Sequence, residues 1–303
     1  MRSVGALERG GATERGPRKS VLFKHFGARV PGNPPTPTAG RGGSSGGPPS
    51  AIIDINSGRS GSGGASVVDV SVVLPTYNER EAIGLLGPRL TAALAPYSAE
   101  VLVVDDASPD GTADAVEGFR PPGLYRVLRR PGRSGLASAV LEGVAQAKGR
   151  VVVVMDADGS HPPEVLPALV EPILRENCEF VLASRHVPGG GAPGLRGSRR
   201  AISFVANLLA RPLTRVHDPM SGFFAFDRSI VGRRVLRPLG YKIALEILVR
   251  CRPFPIREVP FRFEARLAGE SKLNASEMRG YVRHLARLYW WRLASFGRAS
   301  RTR

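Results

Sequence analysis

A pair of aspartates at the end of an apolar run is the part of the sequence best suited to chemistry. Asp156 and Asp158 are separated by one residue and follow the valine run that begins at Val151. If the chain stays extended there, both carboxylates lie on one side of it, roughly 6–7 Å apart at the backbone. Two such carboxylates can share a hard cation such as Mg²⁺ or Mn²⁺, with water and phosphate oxygens as its other ligands. The alternative for Asp158 is that it caps a helix that opens at Pro162.

Two further strand ends carry polar side chains that could contact a nucleotide. Asp105 and Asp106 follow the apolar run Val101–Val104, and Tyr77 and Glu79 follow the run before it. A carboxylate such as that of Asp106, at the end of a parallel strand, is well placed to accept hydrogen bonds from a ribose or a base edge. Since the carboxyl ends of parallel strands share one edge of a sheet, we expect all three acidic clusters to converge on one crevice.

The elements that would position these residues begin at Val67, where short β-branched runs alternate with segments of helical period. The predicted strands are Val70–Leu74, Val101–Val104, Tyr125–Leu128, Val151–Met155 and Phe180–Ala183. The predicted helices are Glu79–Leu94, Thr112–Phe119, Gly135–Ala147, Pro163–Arg175 and a helix from about Ser198 to Thr214. This alternation predicts an α/β fold, with a Rossmann-like, mostly parallel sheet and helices on both faces.

The composition divides the chain into three parts. Residues 1–66 are rich in Gly, Pro, Ser and Arg, which predicts a disordered tail. A catalytic domain is predicted over residues 67–275, and a basic amphipathic helix with a short tail over residues 276–303. Apolar residues recur at helical spacing in this last part, while Arg279, Arg283 and Arg287 step by four. Such a helix can lie on an anionic membrane surface, or it can pack on the core with its basic side in solvent.

Charge and cysteine content exclude several classes of protein. The formal net charge is +17, yet residues 67–250 carry 22 basic and 19 acidic side chains, so the excess lies at the two ends. A general nucleic-acid binder would more often carry this charge on its folded domain, and we expect no specific nucleic acid as a partner. Cys178 and Cys251 have the spacing of neither a disulfide framework nor a zinc site. No run approaches the roughly 20 apolar residues of a membrane span, and no secretion signal is visible.

Five motifs occur in an order that resembles a known family. They are Pro75 to Glu79, Asp105 to Thr112, Asp156 to Asp158, Asp218 to Phe224 and Gly269 to Leu273. The set resembles glycosyltransferase family 2, and within it the polyprenyl-phosphate (dolichyl-phosphate) mannosyl- and glucosyltransferases. The resemblance covers about residues 67–293. It implies a GT-A nucleotide-diphospho-sugar transferase fold and transfer of a hexose, with mannose from GDP-mannose as the leading case, to a polyprenyl phosphate at the cytoplasmic face of a membrane.

The resemblance also implies a role for each matching residue. The catalytic set would be Asp156, Asp158, Arg185 and Asp218. The metal, Mg²⁺ or Mn²⁺, would be held by Asp156, Asp158 and Ser160. The nucleotide sugar would be held by Pro75, Tyr77, Glu79, Asp105, Asp106, Arg133, Ala157, Arg266 and Lys272. The acceptor phosphate would contact Arg199, Arg200 and Ser203. Asp218 would orient the acceptor or a donor hydroxyl, or serve only as a turn residue before Pro219.

The implied chemistry depends on charge more than on a general base. The leaving group is a nucleoside diphosphate, and the acceptor phosphate is already anionic, so positioning and charge neutralisation suffice for in-line displacement with inversion. One alternative is a UDP-glucose-dependent polyprenyl-phosphate glucosyltransferase or another family 2 enzyme. An alternative of another class is a non-catalytic basic module that binds lipid or nucleic acid. Since many relatives carry transmembrane helices after the catalytic domain, a separate membrane-anchoring protein is a further candidate partner.

Overall fold

A seven-stranded sheet forms the centre of the molecule. The computed structural model describes residues 68–193, 197–232, 236, 242–264 and 275–299, so the tail predicted for residues 1–66 lies outside the described residues. The strands are β1 (Val70–Thr76), β2 (Ala99–Asp105), β3 (Tyr125–Arg129), β4 (Val151–Val154), β5 (Phe180–Ser184), β6 (Phe224–Asp227) and β7 (Ile256–Pro260). Their order is β3-β2-β1-β4-β6-β5-β7. Only β6 runs against its neighbours β4 and β5 in the described sheet, which confirms the mostly parallel arrangement.

Helices cover both faces of this sheet. They are α1 (Arg80–Leu94), α2 (Thr112–Glu117), α3 (Leu136–Gln146), α4 (Leu166–Arg175), α5 (Gly197–Ala210), α6 (Ile243–Cys251) and α7 (Ala275–Ala299). α1, α2 and α4 bury their apolar sides against one face of the sheet. α3 and α6 pack against the other face. The central strands are buried on both sides, which explains why they consist almost entirely of apolar residues.

The side chains of β1 show how the two apolar layers are divided. Val70, Val72 and Leu74 belong to the layer under α1, whereas Val73 belongs to the layer under α3. This follows from the alternation of side chains along a strand. β1 lies between β2 and β4, so the carboxyl ends of the three strands are neighbours at one edge of the sheet. That edge carries the acidic residues singled out by the sequence.

A third apolar cluster joins α5, α6 and α7 beside the sheet. Within it, Nε2 of His284 on α7 lies 2.8 Å from Oε2 of Glu246 on α6, and both side chains are fully buried. The Tyr281 hydroxyl of α7 donates to the carbonyl oxygen of Ala206 on α5 at 2.7 Å. These polar contacts connect α7 to two other helices. In the part of the chain that the structure describes, no helix combines the length and apolar character needed to cross a membrane.

Four features of the fold differ from the sequence expectation or extend it. β4 ends at Val154, whereas the predicted strand continued to Met155. β7, α6 and the reversed direction of β6 were not predicted at all. β7 reads Ile-Arg-Glu-Val-Pro and is half exposed, as expected for an edge strand, so it lacks the apolar run that marked the other strands.

Candidate active site

The two aspartates after β4 lie on a bend. The chain turns over residues 157–159, with Gly159 at a φ of +80°. Oδ1 of Asp158 accepts a hydrogen bond from the backbone N–H of Ser160 at 2.9 Å, a contact that stabilises turns. The chain is therefore not extended between Asp156 and Asp158, and the spacing derived for an extended chain does not apply. The N-cap residues of the 3₁₀ turn and of the helix that follow are Pro162 and Val165, and neither provides a side-chain cap.

A buried histidine, which the sequence analysis left out of the site, supports this bend. Nδ1 of His161 accepts a hydrogen bond from the backbone N–H of Asp156 at 2.9 Å. The ring stacks on Phe223 with the centroids 4.9 Å apart. Burial lowers the pKa of His161, although the charges of Asp156 and Asp158 oppose this shift. A neutral imidazole matches the acceptor role of Nδ1. The signal in the sequence is its position three residues after Asp158.

The residues around Asp156 fit a divalent cation. The Asp156 side chain is 38% exposed, and a methyl group added to Gly222 would lie 3.7 Å from its Oδ2 atom. Oγ of Ser160 is buried and has no hydrogen-bond partner among the described residues. The same residues contain no group of three or more His, Cys, Asp or Glu side chains arranged for a metal. The carboxylate ligands predicted from the sequence for a cation here are Asp156 and Asp158, and Mg²⁺ commonly completes such a site with water and phosphate oxygens.

Arg185 and Asp218 form a buried ion pair next to this bend. The Asp218 carboxylate accepts hydrogen bonds from Nε and Nη2 of Arg185, each at 2.7 Å, and from the Arg185 backbone N–H at 3.0 Å. Burial opposes the ionisation of Asp218, but the hydrogen bonds and charge of Arg185 outweigh it and hold the Asp218 pKa below its ordinary value. The structure therefore places Asp218 against Arg185, as a group that orients the guanidinium.

An aromatic side chain links the ion pair to the acidic bend. The Phe263 ring lies 6.0 Å from the ring of His161 and 5.9 Å from Cζ of Arg185. The imidazole of His161 also interacts electrostatically with four charged side chains: Asp156, Asp158, Arg185 and Asp218. The four residues predicted as the catalytic set are thus brought together around one buried histidine. Phe263 itself was missed because nothing in its sequence context distinguishes it from a core phenylalanine.

The ends of β1 and β2 form a second part of the same edge. The guanidinium of Arg133 lies 4.1 Å above the centre of the Tyr77 ring, within the range of a cation–π contact. The backbone N–H of Glu79 donates to Oγ1 of Thr112 at 3.0 Å, which ties the start of α1 to the start of α2. Pro75 is buried within β1. A flat aromatic ring with a cation at its face can stack on a nucleobase or contact a phosphate.

Asp105 and Asp106 use their carboxylates to shape loops. Asp105 accepts hydrogen bonds from the backbone and the hydroxyl of Ser108. Asp106 accepts a hydrogen bond from Arg130 at 2.5 Å and two more from the backbone N–H groups at the start of α3. Arg130, which sequence analysis missed, keeps only 9% of its side chain exposed. The pair thus fixes the loop that carries Arg133 over Tyr77.

The remaining predicted residues fall into three groups. Arg266 and Lys272 lie outside the described residues. Arg199 and Arg200 belong to the first turn of α5, where the structure describes the backbone alone, and Ser203 is half-buried one turn later. Ala157 is 2% exposed and packs in the core.

The parallel sheet with one reversed strand, and the carboxylates at the ends of β2 and β4, match the GT-A nucleotide-diphospho-sugar transferase fold that the resemblance implies. Similarity to a solved structure supports this class. Glucosyl-3-phosphoglycerate synthase from Mycobacterium tuberculosis, in complex with Mn²⁺, uridine diphosphate and glucosyl-3-phosphoglycerate, matches 74% of this chain with a TM-score of 0.53 and 25% sequence identity, over 80% of its own chain. Residues 71–234 match the family model described as "Glycosyl transferase family 2". The chain belongs to glycosyl transferase family 2.

Three curated relatives carry the same name. The dolichol-phosphate mannosyltransferase of Pyrococcus furiosus is 42% identical over 226 residues, which is 73% of this chain and 64% of that protein. The dolichol-phosphate mannosyltransferase of Saccharomyces cerevisiae is 40% identical over 73% of this chain and 87% of its own. That of Mycosarcoma maydis is 36% identical over 81% and 87%, respectively. The chain thus spans less than two thirds of the length of the Pyrococcus protein.

Proposed function

We propose that this protein transfers mannose from GDP-mannose to a polyprenyl phosphate, with dolichyl phosphate as the leading acceptor, and forms polyprenyl-phosphate-mannose. The observation that carries the proposal is the shared name of three relatives at 36–42% identity. The family match over residues 71–234 includes the acidic strand ends and the Arg185–Asp218 pair.

Asp156 and Asp158 are the proposed metal ligands, with Ser160 beside them. Mg²⁺ or Mn²⁺ bound there would neutralise the negative charge that develops on the nucleoside diphosphate as it leaves. Two neighbouring residues position Asp156. His161 accepts a hydrogen bond from the backbone N–H of Asp156, and Gly222, which has no side chain, leaves the Asp156 carboxylate uncovered. The Mn²⁺ in the structure of the mycobacterial synthase supports a divalent cation in proteins of this fold.

The proposed nucleotide site lies on the neighbouring strand ends. Tyr77 and Arg133 form a stacked pair to which a base or a phosphate can bind. Asp105 and Asp106 hold the loops on either side of this pair. We assign Pro75, Glu79 and Ala157 to the same nucleotide site, and Arg266 and Lys272 to the sugar and phosphate oxygens.

The acceptor needs alignment rather than deprotonation. A phosphate monoester is anionic at neutral pH, and its oxygen would attack the anomeric carbon while the bond to the nucleoside diphosphate breaks on the opposite side, which inverts the configuration. Arg185, held by Asp218, would stabilise the negative charge shared by the acceptor phosphate and the leaving group. We assign Arg199, Arg200 and Ser203 of α5 to the acceptor phosphate.

The structural comparison supports a second candidate for the donor. The mycobacterial synthase is similar in fold and was solved with uridine diphosphate. A UDP-glucose-dependent enzyme that makes polyprenyl-phosphate glucose is therefore the alternative. It would use the same metal pair and the same Arg185–Asp218 pair, and would differ only in contacts to the base and the sugar.

A transfer assay tests the choice of donor. Purified protein with Mn²⁺ and a short polyprenyl phosphate is offered labelled GDP-mannose or labelled UDP-glucose in separate reactions, and the label in the organic phase is counted. Label from GDP-mannose alone is the expected result. Label from UDP-glucose alone would replace the proposal with the alternative, and no label from either donor with folded protein and added membrane extract would contradict both.

We also propose that the protein works on the cytoplasmic face of a membrane. One side of α5 exposes five large apolar side chains, each 45–64% accessible: Ile202, Phe204, Val205, Leu208 and Leu209. α7 adds exposed Val282, which lies between Arg279 and Arg283, and exposed Trp290 and Leu293 further along the helix. Exposed apolar helix surfaces with basic neighbours are typical of proteins that lie on anionic lipid. We call the exposed side chains of these two helices the apolar helix surface.

A further inference from the structure

A set of polar contacts connects α5 to the Arg185–Asp218 pair. Nδ2 of Asn207, on α5, lies 3.0 Å from Nε2 of His186. The same Nε2 atom lies 4.0 Å from Oδ1 of Asp218, which is fully buried. The imidazole of His186 therefore lies between α5 and the Asp218 carboxylate, which orients the guanidinium of Arg185.

Asn207 is a buried polar residue on an otherwise apolar stretch of helix. The segment from Phe204 to Ala210 contains no other polar side chain. Asn207 is 6% exposed, and its Oδ1 atom has no hydrogen-bond partner among the described residues. Because a buried amide that loses a partner is costly, rotations of α5 that keep the contact with His186 are favoured over those that break it.

The other inward contacts of α5 are less selective. Ala206 and Ala210 pack against α7 and α6 with small side chains. The hydroxyls of Tyr281 and Tyr289 bond to backbone carbonyl oxygens of α5, at Ala206 and Leu209. Small apolar residues and backbone acceptors recur along a helix, so these contacts tolerate a shift of α5 better than the Asn207–His186 contact does.

The same rotation of α5 sets the direction of the positions assigned to the acceptor. Positions 199, 203 and 207 step by four, which places them on one side of the helix. A rotation that brings Asn207 to His186 therefore also turns position 203 toward the side of α5 that faces His186. The contact at Asn207 thus relates the acceptor helix to the arginine that the reaction needs.

We propose that His186 is a positioning residue: together with Asn207, it sets the rotation of α5 relative to the Arg185–Asp218 pair and so aligns the acceptor phosphate with the donor sugar. This inference rests on the proposed function for its kinetic consequences. It does not depend on which sugar or nucleotide is used, because neither His186 nor Asn207 belongs to the proposed nucleotide site.

The test combines His186→Ala, Asn207→Ala, the double variant and His186→Gln, in which the side chain keeps an acceptor for the amide of Asn207. His217→Ala is the matched control, because it removes a 61% exposed ring that pairs with Glu258 instead of α5. We expect each alanine variant to lower kcat/KM for the polyprenyl phosphate about tenfold and to change the KM for the nucleotide sugar less than about twofold. The double variant should resemble either single variant, and His186→Gln should recover most of the activity.

A second measurement does not require turnover. Hydrogen–deuterium exchange of the full chain provides this measurement. In both alanine variants, the backbone amides of α5 should exchange about tenfold faster, while the amides of α1 exchange at an unchanged rate. In the His217→Ala control, the exchange rates of α5 and α1 should both be unchanged. Unchanged exchange in α5, additive losses in the double variant, or equal losses for donor and acceptor would each overturn the inference. Absence of transfer by the unaltered protein would contradict the proposed function instead, and the exchange data would still decide the role of His186.

Discussion

At the scale of residues, the candidate site depends on charges that are buried and paired. Asp218 is fully buried, and Arg185 meets it through three hydrogen bonds. Breaking a buried ion pair by removing one partner is strongly destabilising, because the remaining charge stays buried without compensation. The pair therefore has two consequences: it holds the guanidinium in one orientation, and it makes stability depend on the ionisation of Asp218.

The Asp218→Asn variant tests this dependence on pH. The Asp218 pKa is lowered from its ordinary value of 3.8 in the folded state, so the carboxylate stabilises the fold at pH 7, and this stabilisation is lost as the pH falls below 3.8 through the folded-state pKa. We expect the free energy of unfolding of the variant to be about 3–5 kcal/mol lower than that of the unaltered protein at pH 7. Near pH 3 this difference should become smaller. Urea unfolding at both pH values measures this, and a gap that stays constant would contradict it.

The Asp158→Asn variant separates the metal role of this residue from its role in the bend. An asparagine oxygen can still accept the Ser160 N–H, so the turn should persist. The loss of one carboxylate charge should weaken Mn²⁺ binding and lower transfer by about 100-fold or more. Calorimetric titration with Mn²⁺ and the transfer assay measure both effects, with Asp114→Asn, a 73% exposed side chain on α2, as the control. Full activity in Asp158→Asn would contradict the metal assignment.

At the scale of elements, the close packing of α3 on β1 fixes the position of the loop that precedes α3. Gly143 of α3 lies so close to the sheet that an added methyl group would be 2.4 Å from Cγ1 of Val73. Asp106 bonds to the start of the same helix and so connects it to the end of β2. The position of Arg133 over Tyr77 therefore depends on how closely α3 approaches β1.

Two glycine-to-alanine variants test this packing. Gly143→Ala should destabilise the protein by about 1–3 kcal/mol, because Val73 is buried and has little room to move. Gly84→Ala, in α1, has no neighbouring atom within 4 Å and should instead stabilise the protein by about 0.5–1 kcal/mol through helix propensity. Thermal unfolding of both variants gives the comparison. Equal effects of the two substitutions would show that the close approach of α3 does not matter.

At the scale of the whole molecule, α5 and α7 combine the proposed acceptor side of the site with the apolar helix surface. The Tyr289 hydroxyl of α7 bonds to the carbonyl oxygen of Leu209, one of the exposed residues of α5, at 2.7 Å. The buried Glu246–His284 contact joins α7 to α6. An acceptor that enters from a membrane would thus approach along the helix to which the phosphate-binding residues are assigned.

Vesicle binding tests the apolar helix surface. The double variant Phe204→Glu and Leu208→Glu adds two charges to an exposed side of α5, so its binding to vesicles of phosphatidylcholine with phosphatidylserine should fall about tenfold or more. Transfer to a short, detergent-dispersed polyprenyl phosphate should change little. Co-sedimentation with the vesicles measures the first effect, and Leu85→Glu on α1, a 54% exposed leucine, is the control. Unchanged vesicle binding would indicate that a separate anchoring protein, rather than lipid, covers this surface.

Much of the fold and part of the site could be predicted from local patterns. Valine runs at β2 and β4 indicate buried parallel strands because both faces of such strands are covered. Aspartates directly after these runs lie at the carboxyl edge for the same geometric reason. β7 and α6 escaped prediction because the first is an exposed edge strand with charged residues and the second follows a region without a clear boundary signal.

The sequence by itself determined the strand–helix alternation, the acidic strand ends and the resemblance to family 2, since these depend on residue types at short spacing. Only the tertiary structure decided what the polar groups contact. Asp218 meets Arg185 from 33 positions away, Asp158 turns back to Ser160, and Asp106 bonds to the start of α3. β6 reverses between two parallel strands. Such contacts join distant segments, and their geometry follows from how helices and strands pack, because a buried polar group takes whichever partner the packing brings within hydrogen-bond distance.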